Sequence, residues 1–241
     1  MPASDWRDYA ALNQWVLRGA FPNIAVEAKE DWQDRAEMAV PFVLDRVVLG
    51  DRAASYESEA YLIFWRYTAS AFELRGSANW WAPLRKSIME FTGLDAEYIT
   101  GASYGLQHHQ QPQIENYVIT YVSRQDWGRR MLQQEDHEKL VAELYKLSER
   151  YGYEVNVVSM DQLSRAEQIQ LAGRTTILMG VHGNGLTSLV WMKPTPRSTV
   201  IEFFYPEGFA FDYEFTARAL GMTHYGVWGN KCVLSCLFSA L

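Results

Sequence analysis

Between Tyr117 and Val227, short apolar runs alternate with helix-length stretches, and this alternation restricts the fold more than any other feature of the chain. The runs are Tyr117–Val122, Glu154–Val158, Thr175–Val181, Thr199–Phe204 and Thr223–Val227. Gln134–Tyr151 carries Leu140, Val141, Leu144, Leu147 and Tyr151 on one helical face, and Gly152 follows as its C-cap. Ser164 and Glu167 form a capping-box pair that opens a helix to about Ala172. Gly185–Met192 reads as a short helix and Asp212–Leu220 as a longer one. Apolar strands without polar alternation, separated by helices, describe a parallel sheet covered on both faces. Residues 115–230 are therefore predicted to form a Rossmann-like α/β domain, whose ligands belong beyond the carboxyl ends of the strands.

Upstream the pattern is less regular. Asp5–Leu17 reads as a helix with Ser4 as N-cap, Val40–Leu49 as a strand interrupted by Asp45 and Arg46, and residues 59–72 and 79–92 as helices. Gly101–Gln113, with two His and four Gln, has no periodicity and reads as a linker. The expected organisation is a partial N-terminal half over 1–112 and the Rossmann-like domain over 113–241.

Composition excludes several classes. The chain has 241 residues, 48% hydrophobic and 21% charged, which is ordinary for a globular protein with a full core. Its 22 basic and 29 acidic residues give a net charge of −7, with no basic run, which argues against general binding to nucleic acid or anionic membranes. No apolar run reaches the roughly 18–20 residues of a membrane span, and the first residues lack a signal-peptide pattern. Cys232 and Cys236 are too few for a zinc site and read as two small buried apolar residues.

Three strand ends carry chemistry. The first run leads into Ser123 and Arg124, with Arg129 and Arg130 close behind. Such a group either forks around diphosphate oxygens or forms a solvated basic loop. The third leads into His182-Gly183-Asn184-Gly185-Leu186 and a helix start, where glycines admit close backbone approach and free N–H groups face an anion. The fourth ends in Glu202, a carboxylate among apolar residues that needs a partner, either a ribose diol or a nearby arginine. Together these suit a nucleotide diphosphate.

Other motifs lead elsewhere and lack context. Gly101-Ala-Ser103-Tyr-Gly105 has the spacing of a nucleophile elbow, but no helix pattern follows it and the His182 loop comes after it instead of before. No G-x-G-x-x-G follows the first strand, so a dinucleotide cofactor is not expected. His108 and His109 are adjacent and read as loop, and no Asp-x-Asp triplet occurs.

The order of segments resembles the catalytic domain of glycosyltransferase family 61. The resemblance rests on Tyr121-Val-Ser-Arg124, on Arg129-Arg130-Met-Leu132, on Arg165-Ala-Glu-Gln168, on the HGAGL-type loop His182–Leu186 followed by Leu189–Pro194, and on Val200-Ile-Glu202-Phe203. It departs from the pattern at Gln133-Gln134 and at Asn184. It implies a GT-B-like α/β fold and inverting transfer from a UDP-sugar to a hydroxyl of a glycan or glycoprotein. It also implies a fungal-type member acting in the Golgi or ER lumen, with a membrane anchor and part of the N-terminal half missing from this chain. Ser123, Arg124, Arg129, Arg130, His182, Gly183, Asn184, Gly185, Leu186 and Glu202 would bind the nucleotide-sugar, with no metal and no cofactor beyond the donor. The pattern assigns no general base. The competing reading is a truncated, non-catalytic member of the family.

Overall fold

The computed structural model describes residues 12–27, 29–49, 79–99, 117–229 and 231–234. Contacts divide the chain into Met1–Ile63 and Phe64–Leu241. Residue 112, Ser4, the helix expected over 59–72, the linker with Ser103, His108 and His109, and Cys236 all lie outside the described residues.

In the first unit α1 (Leu12–Ala20) covers the end of the helix expected over Asp5–Leu17 and runs three residues past it, residues 5–11 lying outside the described ones; α2 (Lys29–Glu37) follows. Arg35 of α2 pairs with Glu27 and lies over the rings of Trp32 and Phe42. The strand expected over 40–49 is not formed; these residues have no regular structure. A strand needs a neighbour for its backbone groups, and the described residues of this unit supply none.

The second unit is built on a six-stranded sheet. Its elements are α3 (Trp81–Thr92), α4 (Ala96–Ile99), β1 (Val118–Val122), α5 (Gln134–Tyr151), β2 (Glu154–Val158), α6 (Arg165–Arg174), β3 (Ile177–Val181), a 3₁₀ helix (Asn184–Trp191), β4 (Thr199–Phe203), α7 (Asp212–Ala219), β5 (Thr223–Trp228) and β6 (Lys231–Leu234). The order across the sheet is β2-β1-β3-β4-β5-β6. All pairings are parallel except β5–β6, which is antiparallel. The α/β, mostly parallel Rossmann-like class read from the sequence is thus observed. The antiparallel β6 was not anticipated, and its Cys232 is exposed, not buried as read from the sequence.

Period-two geometry sorts the strand residues onto two faces. On one, Val122, Leu178 and Val200 pack with Leu186, Leu189 and Met192 of the 3₁₀ helix and with Tyr213 and Ala217 of α7. On the other, Ile119, Tyr121 and Met179 pack against Leu144 of α5. Each large apolar side chain so buried contributes about 1.5–3 kcal/mol. The capping box on α6 forms as read: Ser164 Oγ accepts from the Glu167 N–H while the Glu167 carboxylate accepts from the Ser164 N–H. Gly152 closes α5 in the left-handed conformation, at φ 73°.

Helix α3 belongs to this sheet unit. The Trp81 indole donates to the Val190 carbonyl at 2.8 Å. The Arg85 side chain is buried and, among the described residues, hydrogen-bonds to carbonyls alone: Nε to Trp191 at 2.8 Å, Nη1 to Ile99 at 3.5 Å, and Nη2 to Tyr98 at 3.5 Å and Gly173 at 3.4 Å. These carbonyls close the 3₁₀ helix, α4 and α6, so one cation serves the negative ends of three helices. Burial pushes its guanidinium down to about 10. Arg85→Met, which fills most of the space without donors, is expected to cost about 3 kcal/mol. Urea unfolding measures it, and unchanged stability would show that the guanidinium contributes nothing.

Candidate functional site

The strand order reverses direction at β1 and β3: the chain leaves β1 toward β2 and leaves β3 toward β4. Such a switch point opens a crevice at the carboxyl ends of the two central strands. Here it is flanked by Ser123–Arg130 after β1 and His182–Leu186 after β3.

Arg124 and Gly183 meet directly. A Cβ built on Gly183 would lie 2.0 Å from Arg124 Nη1, so the guanidinium occupies the space a side chain would fill. Gly183 has φ 151°, a conformation L side chains rarely adopt. The Arg124 guanidinium also lies over the Trp127 ring, 5.2 Å from its centroid. Its Nε is buried with no partner among the described residues. Desolvation first, then the charges of Arg130 and Arg129, lower its proton affinity. Arg129 and Arg130 are exposed, and Arg130 sits at φ 51°. Among the described residues no carboxylate forms an ion pair with any of the three. An uncompensated triple cation is a site for an anion.

The 3₁₀ helix supplies backbone donors beside it. Its first internal bond runs from the Leu186 N–H to the Gly183 carbonyl at 2.9 Å. The amides of Gly183, Asn184 and Gly185 precede that bond. Gly185 is required by packing, since a Cβ there would stand 2.7 Å from Val122 Cγ1. Asn184 is exposed. Leu186, grouped with the ligand-binding residues in the sequence reading, is instead 1% exposed and lies in the core between the sheet and α7. An apolar side chain one turn into a helix that packs on the sheet follows the helix's inner face. Ser123 is partly buried and ties its own segment: its N–H donates to the Val158 carbonyl at 2.8 Å, and its hydroxyl accepts from the Gln125 N–H.

Glu202 faces neither of its expected partners. It is 0% exposed; Oε1 lies 2.5 Å from His182 Nδ1 and Oε2 2.8 Å from His224 Nε2. With both oxygens occupied in the interior, it has no open face for a ribose diol, and no arginine pairs with it among the described residues. Register explains the group. Glu202 pairs with Gly180 on β3 and Gly226 on β5, and His182 and His224 lie two residues from these glycines on the same face. A Cβ on Gly226 would meet Phe209 at 2.9 Å and Phe204 at 3.1 Å. Phe204 stacks on His182 and Phe209 meets His224 edge-on. Tyr213 closes the other side, its ring 5.7 Å from His182, its hydroxyl bonded to Thr187 and its proton held more tightly by burial. His224 and Tyr213 were not singled out in the sequence. Only the pairing of β4 with β5 makes a histidine 22 residues away a neighbour of Glu202.

The matching family model now bears on this geometry. Residues 93–201 match the model described as Glycosyltransferase 61. Over residues 93–201 the chain belongs to glycosyltransferase family 61. No curated protein matches it. The matched segment of this glycosyltransferase contains Arg124, Arg129, Arg130 and the His182 loop and ends one residue before Glu202, so His224 and Tyr213 lie beyond it. Gln168, part of the family resemblance, works within the structure: its Nε2 donates to the carbonyls of Met160 at 2.7 Å and Leu163 at 3.0 Å, holding the segment after β2. Among the described residues of the glycosyltransferase, no helix is long and apolar enough to cross a membrane and no cluster of His, Cys, Asp or Glu has a metal-holding arrangement.

Gly183→Ala tests the crevice. The methyl must displace Arg124 and forces an L residue to φ 151°, which is expected to cost about 1–3 kcal/mol. Thermal unfolding and a crystal structure of the variant check it; an unmoved Arg124 and unchanged stability would contradict the packing described.

Proposed function

We propose that this glycosyltransferase transfers a sugar from a UDP-sugar to a hydroxyl of a glycan or glycoprotein with inversion at the anomeric carbon. The observation that carries the reading is the uncompensated guanidinium of Arg124 lying on the Gly183 backbone, beside the amides that begin the 3₁₀ helix. A diphosphate brings two or three negative charges and oxygens in several directions, which suits one half-buried guanidinium, two exposed arginines and a set of N–H donors. Arg124, Arg129, Arg130, His182 and the backbone of Gly183–Gly185 bind it, with Ser123 and Asn184 at its edge.

In the reaction the acceptor oxygen attacks the anomeric carbon from the face opposite the leaving diphosphate. Negative charge grows on that diphosphate as the bond breaks. Preorganised cations and N–H dipoles aimed at it lower the barrier. The sequence has no Asp-x-Asp triplet, and the protein's own cations take the place of a divalent ion in this reading. Family membership supports action in the secretory pathway, in the Golgi or ER lumen.

UDP at 100 times its Kd is expected to stabilise the protein by about 2.7 kcal/mol, a rise in Tm of about 5–10 °C for a chain of this size. Differential scanning fluorimetry measures the shift, and Arg124→Ala should abolish it. A flat response to UDP and to every other nucleoside diphosphate would overturn the assignment.

A further inference from the structure

His182, Glu202 and His224 lie on three neighbouring strands and share one buried carboxylate. A carboxylate only accepts, so the ring nitrogens facing it donate: His182 through Nδ1–H and His224 through Nε2–H. The other nitrogen of His224, Nδ1, is buried and has no partner among the described residues. A proton added there would be a buried donor with nothing to receive it. His182 differs. Its side chain is 28% exposed and its Nε2 makes no hydrogen bond among the described residues. Of the two rings, only His182 has room for a second proton. The groups facing it are Glu202 from β4, Tyr213 from α7 and, across Gly183, Arg124 from the segment after β1, with Asp212 acting on Tyr213.

His182 immediately precedes the glycine on which Arg124 lies, which places it on the diphosphate side of the reaction. Resting on the diphosphate reading above, we propose that His182 is the proton donor to the leaving diphosphate and that Glu202, backed by His224, is the positioning residue that holds it in the donating state. The bond between the anomeric carbon and the phosphate oxygen breaks, and its electron pair stays on that oxygen, which takes the Nε2 proton. The acceptor oxygen forms the new bond to the anomeric carbon, and its own proton passes to solvent water. Neutral His182 regains a proton from solvent once the product leaves. Throughout, Nδ1–H remains on Glu202, whose second oxygen is fixed by His224 and cannot turn away.

The test uses UDP as the probe. Its affinity is measured by titration calorimetry from about pH 6.5 to about pH 9, across the range in which an imidazole loses its proton. Wild type should bind progressively more weakly as pH rises, approaching about tenfold per unit, the slope of one proton taken up on binding. His182→Gln should bind weakly with a flat profile. Glu202→Gln should retain the fall but displaced to lower pH, a change that a purely structural role does not produce. Should Glu202→Gln fail to fold, the ¹⁵N imidazole spectrum of the wild-type UDP complex at about pH 7 decides: both His182 nitrogens should carry protons and His224 only Nε2. A flat wild-type profile, a Glu202→Gln profile superposed on wild type, or a singly protonated His182 in the complex overturns the donor assignment and leaves the diphosphate site standing. Absence of UDP binding by wild type removes the diphosphate reading and this assignment with it.

Discussion

A carboxylate with no solvent exposure is held between two imidazoles in the middle of a parallel sheet, and much of the second unit is arranged to permit it. Leaving Glu202 unpaired there would cost several kcal/mol. Both oxygens are therefore occupied, one by His182 at the end of β3 and one by His224 on β5. Glycines stand opposite it on both flanking strands. Phe204, Phe209 and Tyr213 exclude water around the rings. The residue that emerges from this arrangement is His182, fixed on its inner nitrogen and open on its outer one.

The same loop is held from its far end. Trp81 and Arg85 of α3 bind the Val190 and Trp191 carbonyls, where the 3₁₀ helix closes. The helix that begins with the Gly183–Gly185 amides thus ends on a buried cation, while Leu186, Leu189 and Met192 press its middle onto the sheet. The amides at its start are set by the core and by Arg85 together. A groove of about 470 Å³ beside β2, lined by Tyr98, Asn156, Gln170 and Arg174 among others, is the contrasting case. Its Arg174 is already paired with Glu154, and neither Arg124 nor His182 lines it.

Most of the sheet unit was legible from hydrophobic period alone. Five parallel strands, the α5 helix with its Gly152 cap and the Ser164 capping box fall where the sequence places them, because these are local patterns with local causes. The strand read at 40–49 failed for the opposite reason: an apolar run specifies a strand only when another is available to pair. The crevice was half legible. Arg124 and the glycines announce themselves by residue type. Leu186 does not declare which way it faces, and Glu202 could be given its partners only through the register of β3, β4 and β5. His224 carries no motif at all; a lone histidine in a strand becomes part of a site only when the sheet is assembled.

Whether the crevice between β1 and β3 holds a diphosphate is tested most directly by a crystal structure of the chain with UDP. The diphosphate oxygens should lie within hydrogen-bond distance of the Arg124 guanidinium and the Gly183–Gly185 amides, with His182 Nε2 on the phosphate nearer the sugar position. UDP bound in the groove beside β2, or at the crevice with its phosphates turned away from Arg124, would contradict it.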